Sequence, residues 1–260
     1  MGPHDTWYTL LPFWKSLEHA FEEGLRRDWQ AAMLKDTEFT LVHVGGAVLA
    51  ALFVLFVAFR YRASLQDETG GVVPPRRFTL AAMMDSFVGA VFKLSTDVMG
   101  EDNARRYLPI TCTLGLFLFC MNIQGLIPGL LPPTDTLKTN LALSLSVFII
   151  YMTVGIVRNP GHFLGEFLGP KIGGFYWLAP LFLIVETVSH IARPVSLSLR
   201  LMGNMMADHK VVGIMITFLA VLLPVPFLIL GTMVAIVQTL IFTLLTIIYI
   251  GLAVAHAEGH

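Results

Sequence analysis

The chain has 260 residues, of which 55% are hydrophobic and only 13% charged, with a mean hydropathy of +0.72. About a quarter of the residues in an ordinary soluble domain are charged, so the composition excludes one and marks an integral membrane protein. The 17 basic and 18 acidic residues nearly cancel, which excludes the basic surface that nucleic-acid binding requires.

Residues 1–38 mix Trp7, Tyr8, Phe13, Trp14 and Phe21 with acids and bases, the pattern of an amphipathic segment at a membrane interface. No basic region precedes the short apolar patch from Trp7 to Trp14, so no cleavable signal is expected and the first span acts as its own signal. Residues 39–59 carry no Asp, Glu, Lys or Arg. At about 1.5 Å per residue that run crosses a hydrocarbon core of about 30 Å. Arg60, Arg62, Arg76 and Arg77 follow it, which places the amino terminus outside and residues 60–107 in the cytoplasm. Within that region Leu80, Met83, Met84, Phe87, Val88, Val91, Leu94 and Val98 recur at helical spacing, with Asp85, Lys93 and Asp97 between them. An interfacial amphipathic helix is expected over residues 79–100.

A second span is expected over 108–131, where Asn122 and Gln124 come late and Gly125 to Gly129 loosens the end. Polar side chains such as Asn122 serve contacts between spans, worth about 1 kcal/mol each. Pro132, Pro133, Asp135 and Lys138 form a short loop, and residues 139–157 return inward to Arg158. Cys112 and Cys120 share one span, which holds them about 12 Å apart, beyond the reach of a disulfide. The 158–176 stretch is rich in glycine but lacks the Gly-Lys-Ser/Thr ending of a phosphate-binding loop, so it reads as a connector.

From residue 178 to 223 the only strong break is Pro194. A helix of that length is more than twice the membrane core, so it must tilt steeply, kink, or do both. Pro224 and Pro226 force a turn, and residues 227–255 come back without a charge. On that helix Gln238, Phe242, Leu245 and Tyr249 share a face, edged by Thr239, Thr243 and Thr246. The whole reads as one all-α polytopic domain over 1–260 with five spans, the last two a long tilted hairpin. His256 and His260 read as solvated ends, and no metal site is expected.

The polar residues of the outgoing hairpin helix are concentrated. At about 100° per residue, Glu186, Arg193, Ser196, Arg200, Asn204 and Asp208 fall on one stripe, while the other faces are Ile, Val, Leu and Met. A lone arginine at the centre of a span costs about 2.5–3.5 kcal/mol, so such charge marks a functional path.

Three stretches are similar to one family: Arg193-Pro-Val-Ser-Leu-Ser-Leu-Arg200-Leu-Met-Gly-Asn204-Met, Phe119-Cys-Met-Asn122-Ile-Gln-Gly-Leu-Ile-Pro, and Gln238-Thr-Leu-Ile-Phe-Thr-Leu-Leu-Thr-Ile-Ile-Tyr249. Together with the order of the spans, they resemble subunit a of the F-type ATP synthase over most of the chain beyond about residue 100; the first hundred residues match only in layout. The resemblance implies a non-catalytic subunit that conducts protons between two offset half-channels while a c-ring turns against the tilted helix. It implies as partners the c-ring subunits, the peripheral-stalk subunit b, the rest of the complex and the lipid bilayer, with no cofactor. The membrane is expected to be a bacterial inner membrane or an organellar energy-transducing one. Arg200 falls on the family's essential arginine. A guanidinium stays charged at any working pH, so it can hold a ring carboxylate ionised and block direct passage between half-channels. The implied proton pathway comprises Glu186, Ser189, His190, Arg193, Ser196, Asn204, Asp208, His209, Gln238, Tyr249 and Asn122.

One departure stands out. Family members often carry a glutamate at the position of His209 and a histidine or acid at that of Gly231, so the outer relay here must use Asp208 and His209. Projection places Asp208 beside the Arg200 stripe and turns His209 toward other helices, the one carrying Gly231 among them. A secondary ion-coupled transporter is the alternative reading, although the Arg200 stretch has no second copy, as transporter repeats would provide. A membrane-embedded enzyme lacks its motifs: there is no His-Glu-x-x-His and no Gly-x-Ser-x-Gly.

Overall fold

The computed structural model describes residues 6, 9, 11, 14–20, 42–65, 79–127, 130–158, 179–218 and 224–258. Residues 14–20 are helical. The rest of the 1–38 segment beyond the described positions, the Gly70 to Pro75 stretch, most of the connector before residue 179, and residues 219–223 lie outside the described residues.

The long elements are all helices: α1 (Val42–Leu65), α2 (Leu80–Met99), α3 (Glu101–Gln124), α4 (Leu137–Arg158), α5 (Ala179–Phe218) and α6 (Pro224–Glu258), with a 3₁₀ turn at Pro133–Asp135 before α4. All but α2 are long and apolar enough to cross a membrane, and no strand occurs among the described residues. In hydrocarbon the backbone must satisfy its own hydrogen bonds, and helices do so within one segment.

α3 begins at Glu101, earlier than the apolar run from 108: Asn103, Ala104 and Tyr107 pack inward from its first turns, while Glu101, Asp102, Arg105 and Arg106 stay exposed. Arg105 and Glu101 pair there at 2.8 Å, and the two acids suit the positive end of a helix dipole. α3 follows α2 through Gly100 alone, which has φ 78°, a left-handed value that a side chain would strain. α2 has Thr79 as its N-cap, accepting from the Ala82 amide, and buries Met84, Val91, Ser95 and Met99 while Asp85, Lys93 and Asp97 stay exposed. It packs on α3 and α6 through a cluster of Val91, Met99, Ala104, Tyr107, Ile247, Ile250 and Val254.

The larger core joins α1, α3, α4, α5 and α6 through Ala50, Leu118, Met121, Leu143, Val147, Leu197, Leu201, Met205, Ala235 and Phe242, among others. α3 and α6 lie at its centre, and α5 packs along α4 and α6. Polar groups inside this core are tied locally. Thr239, Thr243 and Thr246 donate to the carbonyls of Ala235, Thr239 and Phe242 at 2.8, 2.8 and 2.9 Å. Asn122 donates to Thr239 Oγ1 at 3.3 Å, linking α3 to α6. Gln124 donates to the Gly46 carbonyl at 3.1 Å, linking α3 to α1. Cys112 and Cys120 are both free.

α5 runs through Pro194 without a break in its helix. Proline removes one intrahelical donor and crowds the preceding turn. Ser198 donates to the Pro194 carbonyl at 2.7 Å, and the Ser144 and Ser198 hydroxyls lie 2.6 Å apart, pinning α5 to α4 just beyond the proline.

Candidate functional site

The face of α5 turned toward the rest of the chain carries His190, Pro194, Leu197, Ser198, Leu201 and Met205, all buried. In projection this packed face is centred about 90° from Arg193, so it lies beside the polar stripe and not opposite it. The stripe is therefore divided. Ser196 and Arg200 are exposed, whereas Glu186, Arg193, Asn204 and Asp208 are half-buried along the seam with α4 and α6. Arg200 makes no hydrogen bond or ion pair among the described residues.

Toward the Arg158 end of α4, a network surrounds Tyr151. Arg193 Nη1 donates to the Tyr151 hydroxyl at 3.0 Å, and that hydroxyl lies 3.1 Å from His190 Nδ1. His190 Nε2 is 3.2 Å from Glu186 Oε1, within ion-pair range although bent from a straight hydrogen bond. The Arg193 guanidinium carbon sits 5.7 Å from the Tyr151 ring centroid and 5.5 Å from that of Tyr249, a double cation–π contact. Beside this network a groove of about 290 Å³ is lined by Ser189, Ala192, Arg193, Ser196, Leu197, Arg200, Leu245 and Tyr249. It brings together four residues of the pathway read from sequence, Ser189, Arg193, Ser196 and Tyr249, and ends at Arg200.

Toward the opposite end of the helices, a smaller cavity of about 20 Å³ lies among α3, α5 and α6, with Asn122, Leu126, Pro132, Asp208, His209 and Gly231 in its wall. A space of that size holds about one water. Asn122 Oδ1 and Asp208 Oδ2 are both buried there without a hydrogen-bond partner among the described residues.

Both Asp208 and His209 share the cavity wall with Gly231, and Asp208 comes nearer to it. A β-carbon built on Gly231 lies 4.0 Å from Asp208 Oδ2 and 3.4 Å from Leu126, and His209 is not among its neighbours. The reason is the position of the packed face. Asp208 lies about 30° from its centre and His209 about 70° on the other side, so the carboxylate reaches α6 first and the imidazole lines the cavity edge.

Asn204 and Gln238 line neither space: Asn204 is half-buried between them on α5, and Gln238 is buried on α6. Tyr151 is the residue that sequence reasoning missed. Its only signal is a phenol hydroxyl in the mostly apolar second half of α4, where an aromatic reads as packing.

Comparison with known proteins gives one consistent result. A family model described as ATP synthase A chain matches residues 42–251. ATP synthase subunit a of Sorangium cellulosum is 37% identical over 213 residues, covering 82% of this chain and 82% of that protein. ATP synthase subunit a 1 of Syntrophotalea carbinolica is 39% identical over 218 residues, covering 84% and 88%. ATP synthase subunit a of Nitratiruptor sp. is 39% identical over 223 residues, covering 85% and 93%.

Proposed function

The chain belongs to the ATP synthase A chain family, and from that premise we propose that it is the proton-conducting stator subunit of an F-type ATP synthase. Five apolar spans and bacterial relatives make it a multi-pass protein of the bacterial inner membrane. The observation that carries the proposal is Arg200: an exposed guanidinium in mid-helix with no counter-charge among the described residues, between two polar spaces at opposite ends of α5. Intramembrane charge of this kind is stable only opposite a partner.

On this reading the partner is the carboxylate of a ring subunit, which meets Arg200 as the ring turns against the exposed faces of α5 and α6. The outer cavity, with Asp208, His209 and Asn122, delivers protons to the ring. The inner groove, with Ser189, Ser196, Arg193, Tyr249, His190 and Glu186, takes them away. Asn204 and Gln238 keep the stretch near Arg200 polar. Arg200 stays charged and so bars a direct passage. Lysine is a poorer substitute, because an amine loses its proton far more readily in a desolvated site. The peripheral-stalk subunit b and the rest of the complex hold the chain stationary.

The test is ATP-driven proton pumping in membrane vesicles. Arg200→Ala and Arg200→Lys are both expected to leave the complex assembled and to lose pumping about a hundredfold or more, the scale of a lost electrostatic group in a water-poor site. Normal pumping by Arg200→Lys would overturn the proposal.

A further inference from the structure

We propose that Tyr151, on α4, is a positioning residue of the inner groove: its hydroxyl couples the Arg193 guanidinium to the His190 ring, so that His190 meets Glu186 with a hydrogen on Nε2. The inference rests on the reading of that groove as the inner proton path.

A guanidinium can only donate, so the contact from Arg193 at 3.0 Å uses one lone pair of the Tyr151 oxygen. The phenol has one hydrogen and a second lone pair left for His190 Nδ1 at 3.1 Å. If the imidazole is neutral with its hydrogen on Nε2, the phenol donates to Nδ1. If the imidazole carries both hydrogens, Nδ1–H donates to the phenol's remaining lone pair. In either case the hydrogen sits on Nε2, the nitrogen 3.2 Å from Glu186 Oε1. The remaining tautomer, with hydrogen on Nδ1 only, sets a nitrogen lone pair against a carboxylate and is disfavoured.

His190 can therefore gain or lose a proton with its ring fixed, while only the Tyr151 O–H turns. The ring is held for this. It stacks on Tyr151 at 5.7 Å with 24° between planes, and Phe148 meets its edge at 6.4 Å. His190 and Tyr151 are both buried. Among the described residues, the charged and titratable groups around the imidazole are Glu186 and Arg193 on α5 and Tyr151 on α4, with Tyr249 on α6 behind Arg193 and Tyr151. Among them Tyr151 touches both the imidazole and the guanidinium.

Tyr151→Phe keeps the ring stack and the cation–π contact and removes both hydrogen bonds. The experiment uses the whole complex in inverted vesicles, with ATP-driven pumping measured against the pH of the ATP-hydrolysing side. The variants are Tyr151→Phe, His190→Gln, the two together, and Arg200→Lys. Tyr151→Phe is expected to lower pumping about fivefold or more, as misplacement of a proton-carrying group does. Its pH profile, normalised to its own maximum and so independent of how much complex assembles, is expected to shift by about half a unit or more. The double variant is expected to be no worse than His190→Gln alone, because the hydroxyl then has no imidazole to position. A wild-type profile for Tyr151→Phe, or additive losses in the double variant, overturns the role of Tyr151. If that occurs while Arg200→Lys is inactive, only this inference fails; normal pumping by Arg200→Lys removes the reading beneath it.

Discussion

At position 231 the returning helix has no side chain, and the space beside it is where the Asp208 carboxylate lies. A methyl group there makes ordinary contacts, the nearest at 3.4 Å to Leu126, so Gly231→Ala is expected to keep most of its activity. Leucine is too large for a cavity of about 20 Å³. Gly231→Leu is therefore expected to lose proton-driven ATP synthesis while ATP hydrolysis by the assembled complex persists. At the same cavity, Asp208→Asn removes the ionisable group nearest to α6 and is expected to slow synthesis about a hundredfold, the lower range for a lost proton-transfer group. His209→Gln, at the cavity edge, is expected to do less harm than Asp208→Asn. Synthesis rates of the four variants in energised vesicles check this, and a greater loss for His209→Gln than for Asp208→Asn would make the imidazole the main outer relay. The polar stripe itself was legible in the sequence, since its spacing is that of a helix. Which stripe member meets which helix was not, because a projection gives angles within one helix and says nothing of where its neighbours sit. Leu197, Leu201 and Met205 decide that, and they look like any other apolar residues of α5.

Among the elements, the spans were the most legible part, because each needs about twenty residues without charge and few sequences offer that by chance. Their ends were less so. α3 starts among four charged residues that read as loop, and only its packing through Asn103, Ala104 and Tyr107 shows why the helix begins there. The contact of α4 with α5 was not legible at all, since Ser144 and Ser198 are ordinary members of apolar runs. Their hydroxyls, 2.6 Å apart and buried, tie the helix of Tyr151 to the helix of Arg200. Replacing either serine by alanine is expected to reduce stability by about 1 kcal/mol, the worth of a polar contact between spans. A stronger test is the pair Ser144→Cys and Ser198→Cys under oxidation. If α4 and α5 form one stationary unit, the cross-linked complex pumps at about the rate of its reduced form; a large loss that reduction restores would mean that the two helices slide during turnover.

Over the whole molecule, on the proposed reading, Arg200 is the divide between two polar spaces that open to opposite sides of the membrane. By the positive-inside rule, Arg60, Arg62, Arg105, Arg106 and Arg158 are expected to put the ends of α1 and α4 and the start of α3 in the cytoplasm. The inner groove at Ser189 and Ser196 should then be reached from the cytoplasm and the cavity at Asp208 from outside. The most direct measurement is reaction with silver ion, a thiol-reactive cation small enough for a one-water cavity, added to one face and read from the thiol left after denaturation, with Cys112 and Cys120 replaced by alanine. Ser189→Cys and Asp208→Cys are each compared in right-side-out and inverted vesicles carrying the assembled complex. The expected result is that Ser189→Cys reacts in inverted vesicles only and Asp208→Cys in right-side-out vesicles only. Reaction of both from the same side would contradict the account.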